Sequence, residues 1–200
     1  MTIARHRLPA RSTWDAINAI YRASFGDNQR EDEATLAERV ITGRYQLTVS
    51  QIDTQVVGFS LLDIVPEPSY AVLTYMAVAQ TQRGKGIGGA LCSAVVSEFQ
   101  CSVATPWLLV EAERRQAAFY RNYGFQAFAL DYRAPRFRSD TSIAMSLMAV
   151  PGEAKKTAAS QLELCDIIHH IFVDGYVLSE DDPRLLAQLA AITDPTPLID

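Results

Sequence analysis

The chain lacks any uninterrupted apolar run near the ~18 residues that span a membrane as a helix, although 48% of its 200 residues are hydrophobic. Those residues are left for a core that one domain, or one domain with an appendage, can bury. No signal peptide is evident: Pro9, Arg11 and Asp15 stand where an apolar segment would be needed. The expectation is a soluble, cytoplasmic protein with no membrane partner. Cysteine is scarce. Cys92, Cys101 and Cys165 have no CxxC spacing and an odd count, which argues against a disulfide framework or a zinc site and for buried thiols. No large basic face is evident, so nucleic acid is not an expected partner. Neither an internal repeat nor a low-complexity segment is found. The net charge of -5 is uneven: residues from Pro151 onward carry -6 and the first 150 carry +1.

What is present is a well-punctuated α/β pattern. Ser12 or Thr13 can cap a helix to about Phe25, and a second helix runs near Glu31 to Thr42, stopped by Gly43. Tyr45 to Ser50 and Gln55 to Val65 form a hairpin, ended by Pro66-Glu67-Pro68. Tyr70 to Ala79 is a long strand rich in β-formers. After it comes Gln82-Arg83-Gly84-Lys85-Gly86-Ile87-Gly88-Gly89. A helix follows, with Ile87, Leu91, Val95 and Phe99 on one face. Trp107 to Val110 is a further strand, followed by Glu111-Ala112-Glu113 and a helix to about Tyr123. Phe125 to Tyr132 and Ser142 to Val150 close the pattern as strands around a Pro- and Arg-containing loop. Pro151-Gly152 is the boundary expected between a domain over 1–151 and an extension over 152–200. The extension holds an amphipathic helix from Ala154 to Val173, a short helix near Pro183 to Ile192, and a frayed end from Thr193.

Four glycines in six residues exceed what a corner requires. Glycine tolerates positive φ and lets backbone approach a ligand. The helix that follows offers unpaired N–H groups and the positive end of its dipole, which together make an anion site, most naturally for phosphate. A Walker-type loop is disfavoured, because Lys85 precedes Gly86 and no Ser or Thr follows for a metal. The dinucleotide fingerprint G-x-G-x-x-G is met literally by Gly84, Gly86 and Gly89, with Glu111 where a ribose ligand would stand. Against it, Gln80 to Arg83 separate the strand from the first glycine, and the motif lies mid-chain.

Arg83-x-x-Gly86-x-Gly88 resembles the acetyl-CoA pyrophosphate loop of the GCN5-related N-acetyltransferases (GNAT). Met76-Ala77-Val78 stands before it as the family's fourth strand does. Phe119-Tyr120-Arg121-Asn122-Tyr123-Gly124-Phe125 resembles the end of the family's fourth helix. The resemblance covers about the first 150 residues. It implies a mixed, mostly antiparallel central sheet with helices on both faces, the fourth and fifth strands splaying apart, and here a C-terminal helical extension. It implies acetyl-CoA as co-substrate. The pyrophosphate would take N–H groups from Arg83, Gly84, Gly86, Ile87, Gly88 and Gly89. The pantetheine arm would pair with the backbone of Met76 and Val78.

The resemblance also makes Tyr120 the candidate proton donor to the departing thiolate, a task that suits a phenol; the alternative is a packed aromatic beside Phe119 and Tyr123. A general base is not marked, because Tyr70 to Ala79 contains no carboxylate. Glu111, Glu113 and Asp63 are the candidates, and Glu111 stands nearest the implied splay. It either takes the ammonium proton, binds a cationic acceptor, or is a solvated strand end. Glu113 occupies a position where the family often has Asn, with Arg114 and Arg115 beside it. The implied reaction is direct attack of a primary amine, small-molecule or peptide, on acetyl-CoA in a ternary complex. A CoA-binding module without turnover and a dinucleotide enzyme are the alternatives. Asp166, His169, His170 and Asp174 are expected to be solvated helix residues and not a metal site. The apolar face of the extension must be buried against the acceptor side, the back of the sheet or a second copy of the chain.

Overall fold

The computed structural model describes residues 1–67, 69–101, 105–152 and 154–200. Pro68 of the expected strand-ending turn and Glu153 of the acidic tail lie outside the described residues. The chain divides into two compact units: Met1–Ile64 with Ala71–Cys101, and Val65–Tyr70 with Ser102–Asp200. Among the described residues, no helix is long and apolar enough to cross a membrane.

The first unit is built from β1 (Thr2–His6), α1 (Arg11–Ser24), α2 (Glu33–Ile41), β2 (Tyr45–Ile52), β3 (Gln55–Val65), β4 (Tyr70–Val78) and α3 (Ile87–Cys101). β2 pairs antiparallel with both β1 and β3, and β4 is the next strand beyond β3. Ile17, Ile20 and Tyr21 recur at helical spacing on α1 and, with Leu36 and Val40 of α2, bury against Leu47, Val49, Phe59, Leu61, Tyr75 and Ala77. Strand side chains alternate between faces, so Met76 and Val78 pack instead with Val57, Ile87 and Leu91. The α3 face expected from four-residue spacing is the buried one.

A polar cluster is enclosed in the first of these cores. Glu31 accepts from the Tyr45 hydroxyl at 2.7 Å, and Arg39 reaches Tyr45 at 2.6 Å and Glu31 at 3.1 Å. Tyr75 accepts the Glu31 N–H at 3.1 Å. Burial raises the Glu31 carboxyl above its ordinary range, against the Tyr45 hydrogen bond and the Arg39 charge. Asp63, one of the candidate bases, is buried and paired with Arg44 at 3.3 Å.

The second unit contains β5 (Trp107–Ala112), α4 (Arg114–Arg121), β6 (Gln126–Phe128), β7 (Arg133–Pro135), β8 (Ser142–Ala144), β9 (Ser146–Pro151), β10 (Ala158–Ala159), α5 (Gln161–His169), α6 (Pro183–Ala190) and β11 (Thr196–Ile199). β5, β9, β6, β11 and β10 are neighbours in that order, and every pair is antiparallel. β7 and β8 form a separate hairpin: β7 lies in the segment expected as a loop, and β8 is the start of the strand expected from Ser142.

Three expectations are corrected. The end of the chain is not frayed: Leu198 pairs with Phe128 and Ile199 with Ala127, so β11 closes an edge that β6 would otherwise leave unpaired. The helix expected from Ala154 begins only at Gln161. Ser160 caps it by accepting the Glu163 N–H at 3.3 Å, while the Glu163 carboxylate takes the Ser160 N–H at 3.0 Å. Of the thiols expected to be buried, only Cys92 is; Cys101, at the last turn of α3, is exposed and Cys165 is intermediate.

Candidate active site

In the first unit, β4 delivers the chain into the glycine loop. Residues 80–82 make a short turn, and Arg83 is extended with φ -65° and ψ 156°. Gly84 and Gly86 then adopt φ values of 77° and 79°, a region that side chains with a β-carbon rarely occupy. A β-carbon placed on either would meet nothing within 4 Å. The loop is therefore open on the side where a ligand's phosphates would approach. The first helical bond of this segment runs from the Ala90 N–H to the Gly86 carbonyl at 3.0 Å. Ile87, Gly88 and Gly89 lie ahead of it, where helices leave N–H groups without an intrahelical partner. The dipole of α3 adds positive potential at the same place. These features fit a pyrophosphate.

Arg83 does not extend freely into that space. Its Nε donates to the Val78 carbonyl at 3.1 Å and its guanidinium to Ser24 Oγ at 3.2 Å. The side chain thus ties the loop back to β4 and to the end of α1, while the Arg83 N–H donates to the Gln80 carbonyl at 3.3 Å. Met76 and Val78 turn their half-buried side chains toward Ile87 and Leu91. A β-carbon on Gly88 would touch Val78 Cγ2 at 3.6 Å. The expected cofactor-binding residues of β4, the loop and α3 are therefore gathered in one place.

In the second unit, Tyr120 is buried near the end of α4, its ring 5.2 Å from that of Phe119 and 5.4 Å from that of Phe125. The turn that ends α4 returns the Phe125 N–H to the Tyr120 carbonyl at 3.3 Å, and Gly124 supplies the positive φ this requires. Glu113 stands at the N-cap of α4, and Arg114 and Arg115 are exposed in its first turn.

Glu111 lies inside β5 and not beyond its end. Odd-numbered residues of β5 share a face, and the extension covers that face. Trp107 donates its indole N–H to Glu163 of α5 at 3.1 Å. The Glu111 carboxylate accepts the Tyr132 hydroxyl at 2.6 Å and the Tyr176 hydroxyl at 3.2 and 3.3 Å. Burial pushes the Glu111 carboxyl up to about 7, against the lowering effect of both hydroxyls. A carboxyl in that range exchanges a proton near neutral pH. Tyr132 and Tyr176 were not singled out by the sequence, since separations of 21 and 65 residues from Glu111 carry no local signal.

Residues 43–127 match the family model described as Acetyltransferase (GNAT) domain. A search of curated proteins finds no match. Among solved structures, a GNAT-family protein from Bacteroides thetaiotaomicron is 18% identical and superposes with a TM-score of 0.69, covering 90% of this chain and 100% of its own. A phosphinothricin acetyltransferase from Sinorhizobium meliloti, solved in complex with AcCoA, is 22% identical with a TM-score of 0.60, covering 78% of this chain and 91% of its own. The ribosomal-protein-S18-alanine N-acetyltransferase from Escherichia coli is 20% identical with a TM-score of 0.57, covering 75% and 92%. The fold is the mixed α/β, mostly antiparallel type shared by these structures. The match to a GNAT acetyltransferase domain thus spans residues 43–127 of this chain, and the solved structures share its fold.

Proposed function

We propose that the protein transfers an acetyl group from acetyl-CoA to a primary amine by direct attack in a ternary complex. The observation that carries this reading is the open, positive-φ loop at Gly84 and Gly86, set against the first-turn amides of Ile87, Gly88 and Gly89. In the proposed roles, those amides with the backbone of Gly84 and Gly86 hold the pyrophosphate, the Arg83 N–H expected to join them donates instead to the Gln80 carbonyl, and the backbone of Met76 and Val78 receives the pantetheine arm.

The chemistry then needs two proton movements. Glu111 accepts a proton from the ammonium form of the acceptor, freeing the nitrogen lone pair. The nitrogen attacks the thioester carbonyl carbon, the C–N bond forms and the C–S bond breaks. Tyr120 gives its phenolic proton to the departing thiolate and regains, by way of solvent, the second proton that the acylated nitrogen sheds to become a neutral amide. The raised carboxyl supports Glu111 in this role, since a base poised near pH 7 is half ionised where the enzyme would work.

A thermal-shift comparison tests the ligand: acetyl-CoA should raise the melting temperature and a nicotinamide dinucleotide should not. A panel of primary amines assayed for free CoA thiol tests the reaction. Tyr120→Phe should lower kcat by roughly 10² or more and leave acetyl-CoA affinity unchanged. A variant as fast as the wild type would remove Tyr120 from the mechanism, and a chain that ignores acetyl-CoA would remove the reading itself.

A further inference from the structure

The C-terminal extension does more than cover a sheet face, because through Tyr176 it also reaches the Glu111 carboxylate of β5. Tyr176 follows the π-helical turn His170–Gly175 that continues α5. Its ring lies 4.9 Å from that of Phe137 and 6.3 Å from that of Phe172, and Phe172 lies 6.1 Å from Tyr132. Phe172 and Tyr132 are fully buried. The two phenols are thus set by aromatic packing before they meet the carboxylate. They approach it from two separate segments, one just ahead of β7 and one from the extension. Tyr132 bonds one carboxylate oxygen and Tyr176 bridges both.

We infer that Tyr132 and Tyr176 are positioning residues for Glu111: their hydroxyls fix the carboxylate's orientation and favour its ionised form, and through Tyr176 the extension governs the proton-accepting step. This rests on the proposed reading of Glu111 as the base. The physical argument is one of donors and acceptors. An ionised carboxylate only accepts, so both phenolic O–H groups are satisfied by it. Desolvation acts the other way, and removal of either hydroxyl leaves it less opposed. Tyr132 and Tyr176 are the titratable groups that act on this carboxyl. The strand paired with it across the ladder presents Leu147, which carries no charge.

The test uses the full chain with Tyr176→Phe and Tyr132→Phe. Each keeps the ring and its packing and removes only the hydroxyl. Two readouts are taken: the acidic limb of the kcat/KM pH profile with a turned-over amine, and the side-chain carboxyl titration of Glu111 by ¹³C NMR, assigned by its loss in Glu111→Gln. Each variant should move both midpoints upward together, by about half a unit to one unit, with activity lost mainly below the midpoint and recovered at higher pH. Glu111→Gln should abolish the limb. A limb that stays in place while the carboxyl midpoint moves, or one that persists in Glu111→Gln, would overturn the inference. So would an unmoved carboxyl midpoint in both variants. If the wild-type chain transfers no acetyl group to any amine, the reading beneath the inference fails first, and that result is distinct from transfer with an unmoved limb.

Discussion

At the scale of single residues, Gly86 is where covalent geometry and ligand binding coincide. Its φ of 79° would strain any residue with a β-carbon, while the space around that β-carbon is free of protein atoms. Gly86→Ala should therefore cost roughly 1–2 kcal/mol of stability through backbone strain alone. It should also weaken acetyl-CoA more than strain accounts for, because the new methyl group stands where the phosphates approach. A tenfold or greater loss in affinity by calorimetry, against an unchanged overall fold by circular dichroism, is the expected result. Equal affinity would mean that the phosphates do not use this side of the loop. Arg83 belongs to the same scale: its guanidinium is committed to Val78 and Ser24, so it organises the loop as a tie between backbone segments. Nothing in the motif announces that use, because a motif names residue types and leaves their partners unstated.

At the scale of elements, the long apolar patterns were legible and the short pairings were not. β3, β4 and α3 follow from sustained periodicity and from turn residues at their ends. β1, β7, β8 and β10 are strands of two to five residues, too short for a period to declare itself. Whether such a stretch becomes a strand depends on a partner edge supplied from elsewhere. β11 is the clearest instance. Thr193 to Asp200 contains two prolines and reads as a free end, yet its Leu198 N–H donates to the Thr157 carbonyl at 2.8 Å and its Pro197 carbonyl accepts from Ala129 at 2.9 Å. The site divides in the same way: the glycine loop and Tyr120 were visible as local motifs, and the phenols around Glu111 were not, being distant in sequence. If β11 is a working strand, Leu198→Pro should remove a ladder donor and lower the melting temperature by about 5–10 °C, corresponding to ~2–3 kcal/mol. Melting followed by differential scanning fluorimetry would show it. A frayed terminus would give no shift.

For the whole molecule, two carboxyls of the second unit pull stability in opposite directions with pH. The Glu111 carboxyl is held at about 7 in the folded chain against an ordinary 4.5. Between those values the folded state keeps a proton that the unfolded state has lost, so stability falls as pH rises through the window, by at most about 3 kcal/mol. Glu163 behaves oppositely. Burial raises its carboxyl, but hydrogen bonds from Lys156, the Ser160 N–H and hydroxyl, and the Trp107 indole outweigh that and bring it to about 2. Its contribution is complete above 4.5 and disappears as pH falls toward 2. Partial exposure of its side chain reduces the amount to roughly 1–2 kcal/mol. Other carboxylates add their own slopes, so the differences between variants carry the test. Urea unfolding across pH 3 to 8 should show Glu111→Gln losing the decline between about pH 5 and 7, while leaving the acid limb intact. Glu163→Gln should flatten part of the acid limb and leave the neutral decline in place. The two effects should add in the double variant, since each carboxylate is held by its own set of donors. A neutral decline that survives Glu111→Gln would mean that the carboxyl clasped by Tyr132 and Tyr176 is ionised at the same pH in the folded and unfolded chains, and the poise on which its proposed role depends would be absent.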